Sequence, residues 1–126
     1  MLKRLSILYV DDDEAIRNVM RIMLRRRFGD VYIASNGKEG FDLYINYEPD
    51  MVVTDNEMPV MNGATLIAKI HERNKEQPII MTKSFSDDER TMNCKVCANV
   101  IKPIDAEKLI EAICYCMGMR QGGKFT

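Results

Sequence analysis

Acids at two strand ends and a lysine at a third carry the chemistry available to this sequence. Asp55 ends the apolar, β-branched run Met51-Val52-Val53-Thr54, while Asp11, Asp12 and Asp13 follow Ile7-Leu8-Tyr9-Val10, and Lys102 follows Ala98 to Ile101. Each run reads as a buried strand, so each polar residue stands at a strand's C-terminal end, the edge at which open parallel α/β sheets bind ligands. A lone Asp there ordinarily caps a turn, but acids and a lysine at three such ends share a better explanation. Carboxylates brought to one edge repel one another, and at least one would hold its proton more tightly unless a cation balances them. Oxygen ligands with no His or Cys nearby select a hard metal, and a shallow, hydrated cluster favours Mg²⁺ over Ca²⁺. Such a site neutralises a phosphoryl group while a carboxylate attacks it, with Lys102 as the cation for the remaining oxygens. Pro103 biases Lys102 towards extended geometry and so helps hold it over the edge.

These residues need a scaffold, and the hydrophobic pattern alternates between strand and helix periods. Strands are expected at Leu5 to Val10, Val31 to Ala34, Met51 to Asp55, Ile79 to Thr82 and Ala98 to Ile101. Glu14 to Arg27 predicts a helix with Ile16, Val19, Met20, Met23 and Leu24 on its inner stripe, ending at Phe28-Gly29. Asn36, with Glu39 three residues on, caps a second helix that turns Gly40, Phe41, Tyr44 and Ile45 inward. Leu66, Ile67 and Ile70 face inward on a third, and Ser86-x-x-Glu89 caps a short fourth. Asp105 caps a last helix with Leu109, Ile110, Ile113, Cys114 and Met117 inward and Gly118 at its end. Five strands alternating with five helices predict an α/β fold, a doubly wound parallel sheet in a three-layer sandwich. Two strand orders compete; the flavodoxin-like order 2-1-3-4-5 suits five strands and sets the first beside the third, gathering Asp11, Asp12 and Asp55.

With 126 residues the chain is expected to be one domain, 1-119, followed by a tail or linker start at 120-126. A net charge of -1 gives no electrostatic footprint for direct nucleic acid binding, and the short apolar runs exclude a membrane-spanning helix. The N-terminus lacks the apolar run of a signal peptide, so a cytoplasmic location is expected. Cys94, Cys97, Cys114 and Cys116 are then expected to be reduced and partly buried. Two close pairs could converge on zinc, but Cys-x-Cys on a helix points its thiols to different faces. His71, in a polar run at a helix end, reads as a surface residue, Arg25-Arg26-Arg27 complements a helix C-terminus, and the methionines fill core space.

Tyr9-Val10-Asp11-Asp12-Asp13, then Asp55-Asn56-Glu57-Met58-Pro59-Val60-Met61-Asn62-Gly63, then Lys102-Pro103, in this order and spacing, resemble the receiver domain of bacterial two-component response regulators. The similarity runs from about Leu5 to Met117. It carries the 2-1-3-4-5 order with it. It implies that Asp55 takes a phosphoryl group from a sensor histidine kinase or a small phosphodonor. It further implies that Asp12, Asp55 and the backbone carbonyl of Glu57 bind Mg²⁺, that Asp11 acts mostly through water, and that Lys102 pairs with the phosphoryl oxygens. The implied output is a switched surface for a downstream protein or output domain.

Departures from the pattern cluster after the fourth strand. Lys83 stands where the family has a Thr or Ser, with Ser84 at the small-residue position after it, and Asn99 replaces the usual aromatic switch residue three before Lys102. The expectation is that Lys83 reaches Asp55 at rest and competes with Mg²⁺; a solvent-facing Lys83 is the alternative. These departures support a rival reading as a degenerate receiver, a phosphorylation-independent docking module. A third reading, a Mg²⁺-dependent phosphatase with Asp55 as nucleophile, wants a second Asp two residues on, where this chain has Glu57.

Overall fold

A computed structural model describes residues 4–84 and 95–118, and nine elements lie among them. They are β1 (Leu5–Val10), α1 (Glu14–Phe28), β2 (Gly29–Ala34), α2 (Gly37–Tyr47), β3 (Met51–Asp55), α3 (Gly63–Arg73), β4 (Ile79–Lys83), β5 (Ala98–Ile101) and α4 (Ala106–Cys116). The strands form one parallel sheet in the order β2-β1-β3-β4-β5, as expected. Val10 pairs with Thr54, so the next residues, Asp11 just past β1 and Asp55 at the end of β3, emerge side by side.

Alternation along the strands builds two cores. Ile7, Tyr9, Val53 and Ile80 pack on one face with Met20, Leu24 and Phe28 of α1 and Leu109, Ile110 and Ile113 of α4. Leu8, Val10, Val52, Ile79 and Met81 pack on the other with Tyr44 of α2 and Leu66, Ile67 and Ile70 of α3. Both faces of β1 and β3 are covered, which is why those strands read as continuous apolar runs. Side-chain caps set the helix starts: Asp13, Asn36, Asn62 and Asp105 accept from the backbone N–H of Ile16, Glu39, Thr65 and Glu107.

Some inward stripes are narrower than expected. Val19 is 54% exposed and Ile45 36%, because a helix on a sheet buries one band of its circumference, and Phe28 takes the buried place at the end of α1. The helix expected after Ser86, Cys94 and the tail from 120 lie outside the described residues.

The cysteine expectation is overturned: Cys97 and Cys116 form a disulfide, with Cα atoms 6.0 Å apart. A helix running antiparallel to the strand before it ends near that strand's beginning, a proximity no compartment argument contains. Cys114 remains a free, buried thiol, so the two helix cysteines do face different ways. Among the described residues the group able to hold a metal is made of acids, not cysteines. No helix there is long and apolar enough to cross a membrane.

Candidate functional site

Asp55 is held by the chain that follows it. Asn56 N donates to Thr82 O at 3.1 Å, and Gly63 N donates back to Asn56 O at 2.9 Å. A Cβ on Gly63 would overlap the carbonyl oxygen of Asp55, so this return requires glycine. Between them, Met61 N donates to Pro59 O at 2.7 Å across Val60, which sits at φ 70°, a turn a β-branched residue adopts only under strain. The turn presents Met61 O to Gly37 N at 3.1 Å, fastening the loop to the start of α2.

Asp11, which is buried, is fixed through both oxygens. Its Oδ1 accepts from Asp13 N at 2.9 Å and its Oδ2 from the Tyr9 hydroxyl at 3.2 Å, while Arg17 Nη1 donates to its carbonyl at 2.8 Å. Asp12 is exposed. One carboxylate oxygen from each of Asp11, Asp12 and Asp55 lies within 4.8 Å of the others. Asp13 is drawn away as the cap of α1. Donors that are all oxygen, one of them on an exposed acid, fit a hard divalent cation that keeps part of its water.

Lys102 closes the site from β5. Its backbone N–H donates to Lys83 O at 2.8 Å, and its Nζ donates to Asp55 Oδ2 at 2.8 Å. The Lys102–Pro103 peptide is cis. Between Lys102 and the β1–α1 loop lies a cleft of about 190 Å³ lined by Asp11, Asp12, Asp13, Ile16, Pro103 and Ile104. Burial pushes the Asp55 carboxyl above the usual carboxylate range and, with the Asp11 charge, outweighs the pull of Lys102. Burial alone would lower the Lys102 ammonium, but the hydrogen bond and charge of Asp55, with Asp11 and Asp12, raise it. Desolvation, then Asp11, hold the Tyr9 phenol protonated far above its ordinary range, as a donor.

The expected contact from Lys83 to Asp55 is not formed. Thr82 is the residue in register with Asp55 and shares its face of the pleat, so Lys83 turns to the opposite face beside its partner Ile101. Its ammonium makes no ion pair among the described residues. Asn99 is exposed on that same face, Ser84 is partly buried just past β4, and the Glu57 side chain is exposed, within 3.5 Å of Asn56 Nδ2. Tyr9 and Arg17 were missed as candidates. Period-two alternation, which sets Tyr9 on the face of Asp11, could have found the first.

The response regulator receiver domain profile matches residues 7–114. The chain belongs to this family. Receiver domains are signalling modules of two-component systems that generally bind Mg²⁺ at an acidic pocket, and this receiver has the acids grouped for one. It is 33% identical over 111 residues to the chemotaxis protein CheY of Halobacterium salinarum, covering 86% of this chain and 92% of that protein. It is 26% identical over 106 residues to the regulatory protein AtoC of Escherichia coli, spanning 82% of this chain but 23% of AtoC. A solved CheY-like receiver domain from Methanospirillum hungatei JF-1 superposes with a TM-score of 0.80 at 28% identity, over 88% of this chain and 91% of the other.

Proposed function

We propose that this receiver accepts a phosphoryl group on Asp55 and uses the event to switch a protein-interaction surface. The observation carrying the reading is the pairing of two opposite demands on one carboxylate: Asp55 shares a cluster with Asp11 and Asp12 on one side and meets Lys102 at 2.8 Å on the other. Asp12 and Asp55, with the backbone carbonyl of Glu57, would hold Mg²⁺, and Asp11 would act mostly through water. When bound, the ion supplies positive charge against the phosphoryl oxygens. An Asp55 oxygen forms the bond to phosphorus as the donor's phosphorus–nitrogen or phosphorus–oxygen bond breaks, and the leaving group departs with that electron pair. Lys102, held over the edge by its own backbone hydrogen bond, stays beside the transferred group as a counter-charge.

The donor is a sensor histidine kinase or a small acyl phosphate, the recipient of the signal is a downstream protein or output domain, and the location is the cytoplasm. Lys83 and Asn99, at the usual switch positions, leave no hydroxyl-to-aromatic relay there, so the switching movement takes another form. The docking-module alternative, without phosphorylation, is less well supported because the acids and the lysine are all present and grouped. The deciding experiment is incubation with acetyl phosphate and Mg²⁺, followed by intact mass. One phosphoryl adduct, absent in Asp55→Asn, supports the proposal; no adduct supports the docking module, and repeated turnover of varied phosphate esters supports a phosphatase.

A further inference from the structure

We infer that Cys97 and Cys116 form a reversible thiol–disulfide site that fastens edge strand β5 to the end of α4. Cys97 is exposed and Cys116 partly so, and their Cα separation of 6.0 Å lies within bridging range. Both line a cleft of about 270 Å³ together with His71, Lys75, Lys95 and Glu76. Lys75 and Lys95 place two cationic side chains around the same cleft, which suits an anionic small disulfide such as oxidised glutathione approaching the pair. Cys114 is the contrast: burial, against the pull of Arg27, pushes its thiol up and keeps it out of exchange. An accessible disulfide in a cytoplasmic protein serves redox sensing more often than permanent bracing.

The exchange balances without a metal. Cys97 attacks one sulfur of a small disulfide such as oxidised glutathione, forming a mixed disulfide and releasing one thiol. Cys116 then attacks the Cys97 sulfur and releases the second thiol, so the protein's two protons and two electrons leave on the two released thiols. Excess reduced glutathione runs both steps backwards.

The position of the bridge gives it leverage. β5 has four residues and, among the described residues, lies at the sheet edge and pairs with β4 alone. The bridged residues are 19 apart, and the ring they close contains all of β5, Lys102 and the cap of α4. Closing that ring limits how far the edge can open, and with it how far Lys102 can leave Asp55. This consequence for Lys102 rests on the phosphoacceptor reading; the thiol pair does not.

The test equilibrates the whole protein in glutathione mixtures from fully oxidised to fully reduced, traps the thiols and digests with trypsin. Cleavage after Lys95 separates Cys94 from Cys97, so a bridge joining peptides 96–108 and 109–120 identifies the pair, and a Cys114→Ser variant that keeps it assigns the second sulfur to Cys116. Expected is one reversible transition, with amide exchange at Asn99 to Ile101 faster by about tenfold or more on reduction. Labelling of Asp55 by acetyl phosphate slows severalfold in the same step, and the Cys97→Ser, Cys116→Ser double variant behaves as the reduced form throughout. No bridge at any ratio, a bridge through Cys94, a bridge that excess reduced glutathione leaves intact, or unchanged exchange across β5 overturns the inference. Absent labelling in both forms overturns the phosphoacceptor reading, while the thiol and exchange measurements still decide this one.

Discussion

Lys102 Nζ donates to Asp55 Oδ2 at 2.8 Å, joining a lysine side chain 34% exposed to a carboxylate 3% exposed. The two strand ends that carry them are separated in the sheet by β4. The lysine is thus the resting counter-ion of a carboxylate that would otherwise be buried beside two more acids.

Replacing the lysine should therefore move two quantities in opposite directions. Lys102→Ala leaves Asp55 uncompensated and lowers stability without metal by about 1–3 kcal/mol, discounted for the exposed lysine. The same change removes a positive charge beside the acids, so Mg²⁺ binds more tightly. Denaturant melts and calorimetric Mg²⁺ titration check the pair of effects; weaker Mg²⁺ binding in the variant would contradict the electrostatic picture.

Stability should fall with pH through the carboxylate range because of Asp55. Its folded value lies above the ordinary one, so between the two the folded state binds more protons than the unfolded state. Stability from this group is highest at acid pH, declines as pH rises through that window, and stays lower above it. Asp55→Asn should raise the Tm at neutral pH without Mg²⁺, and the advantage should shrink on acidification. A difference independent of pH from 3 to 8, the span bracketing carboxylate titration, would count against the assignment.

Tyr9→Phe removes one hydroxyl and nothing else from the core. Without that donor the Asp11 carboxylate keeps only the Asp13 N–H on its other oxygen. Groups that orient a metal's ligands typically matter by tenfold or more, so Mg²⁺ affinity should drop roughly tenfold. Calorimetry on both proteins measures it, and equal affinities would show that Asp11 needs no such support.

The β3–α3 loop makes a pair of opposite predictions. Val60 is 77% exposed at φ 70°, so Val60→Gly loses little packing and relieves about 1–2 kcal/mol of strain, partly offset by glycine's unfolded-state freedom. A net gain of about 0.5–1 kcal/mol is expected in denaturant melts. Gly63→Ala should destabilise and slow labelling of Asp55, since its Cβ would displace the Asp55 carbonyl.

Much of the fold was legible because both strand faces are apolar and the caps are local. Asp13, Asn36 and Asp105 sit one residue before helices whose first N–H groups they satisfy, a relationship confined to a few residues of chain. Five alternating units left two strand orders open, and the resemblance to receivers favoured 2-1-3-4-5, the order the sheet has, and with it the meeting of Asp11 and Asp55. Of the two readings of Lys83 left open by the sequence, the contact with Asp55 failed for a reason of parity: it depended on which residue of β4 is in register with Asp55, and a shift of one reverses the face. The disulfide was missed because the argument against it concerned cellular redox state, whereas the bond depends on where β5 begins and α4 ends.

The sequence by itself determined which acids and lysine this chain carries and where each stands on its strand, because period and capping are properties of neighbouring residues, and the order and spacing of those motifs gave the resemblance to receivers. Only the tertiary structure decided which cation holds Asp55 at rest, which hydroxyl braces Asp11, and which cysteines meet. Those contacts join points brought together by sheet register and helix length, and neither quantity is written in any one stretch of chain.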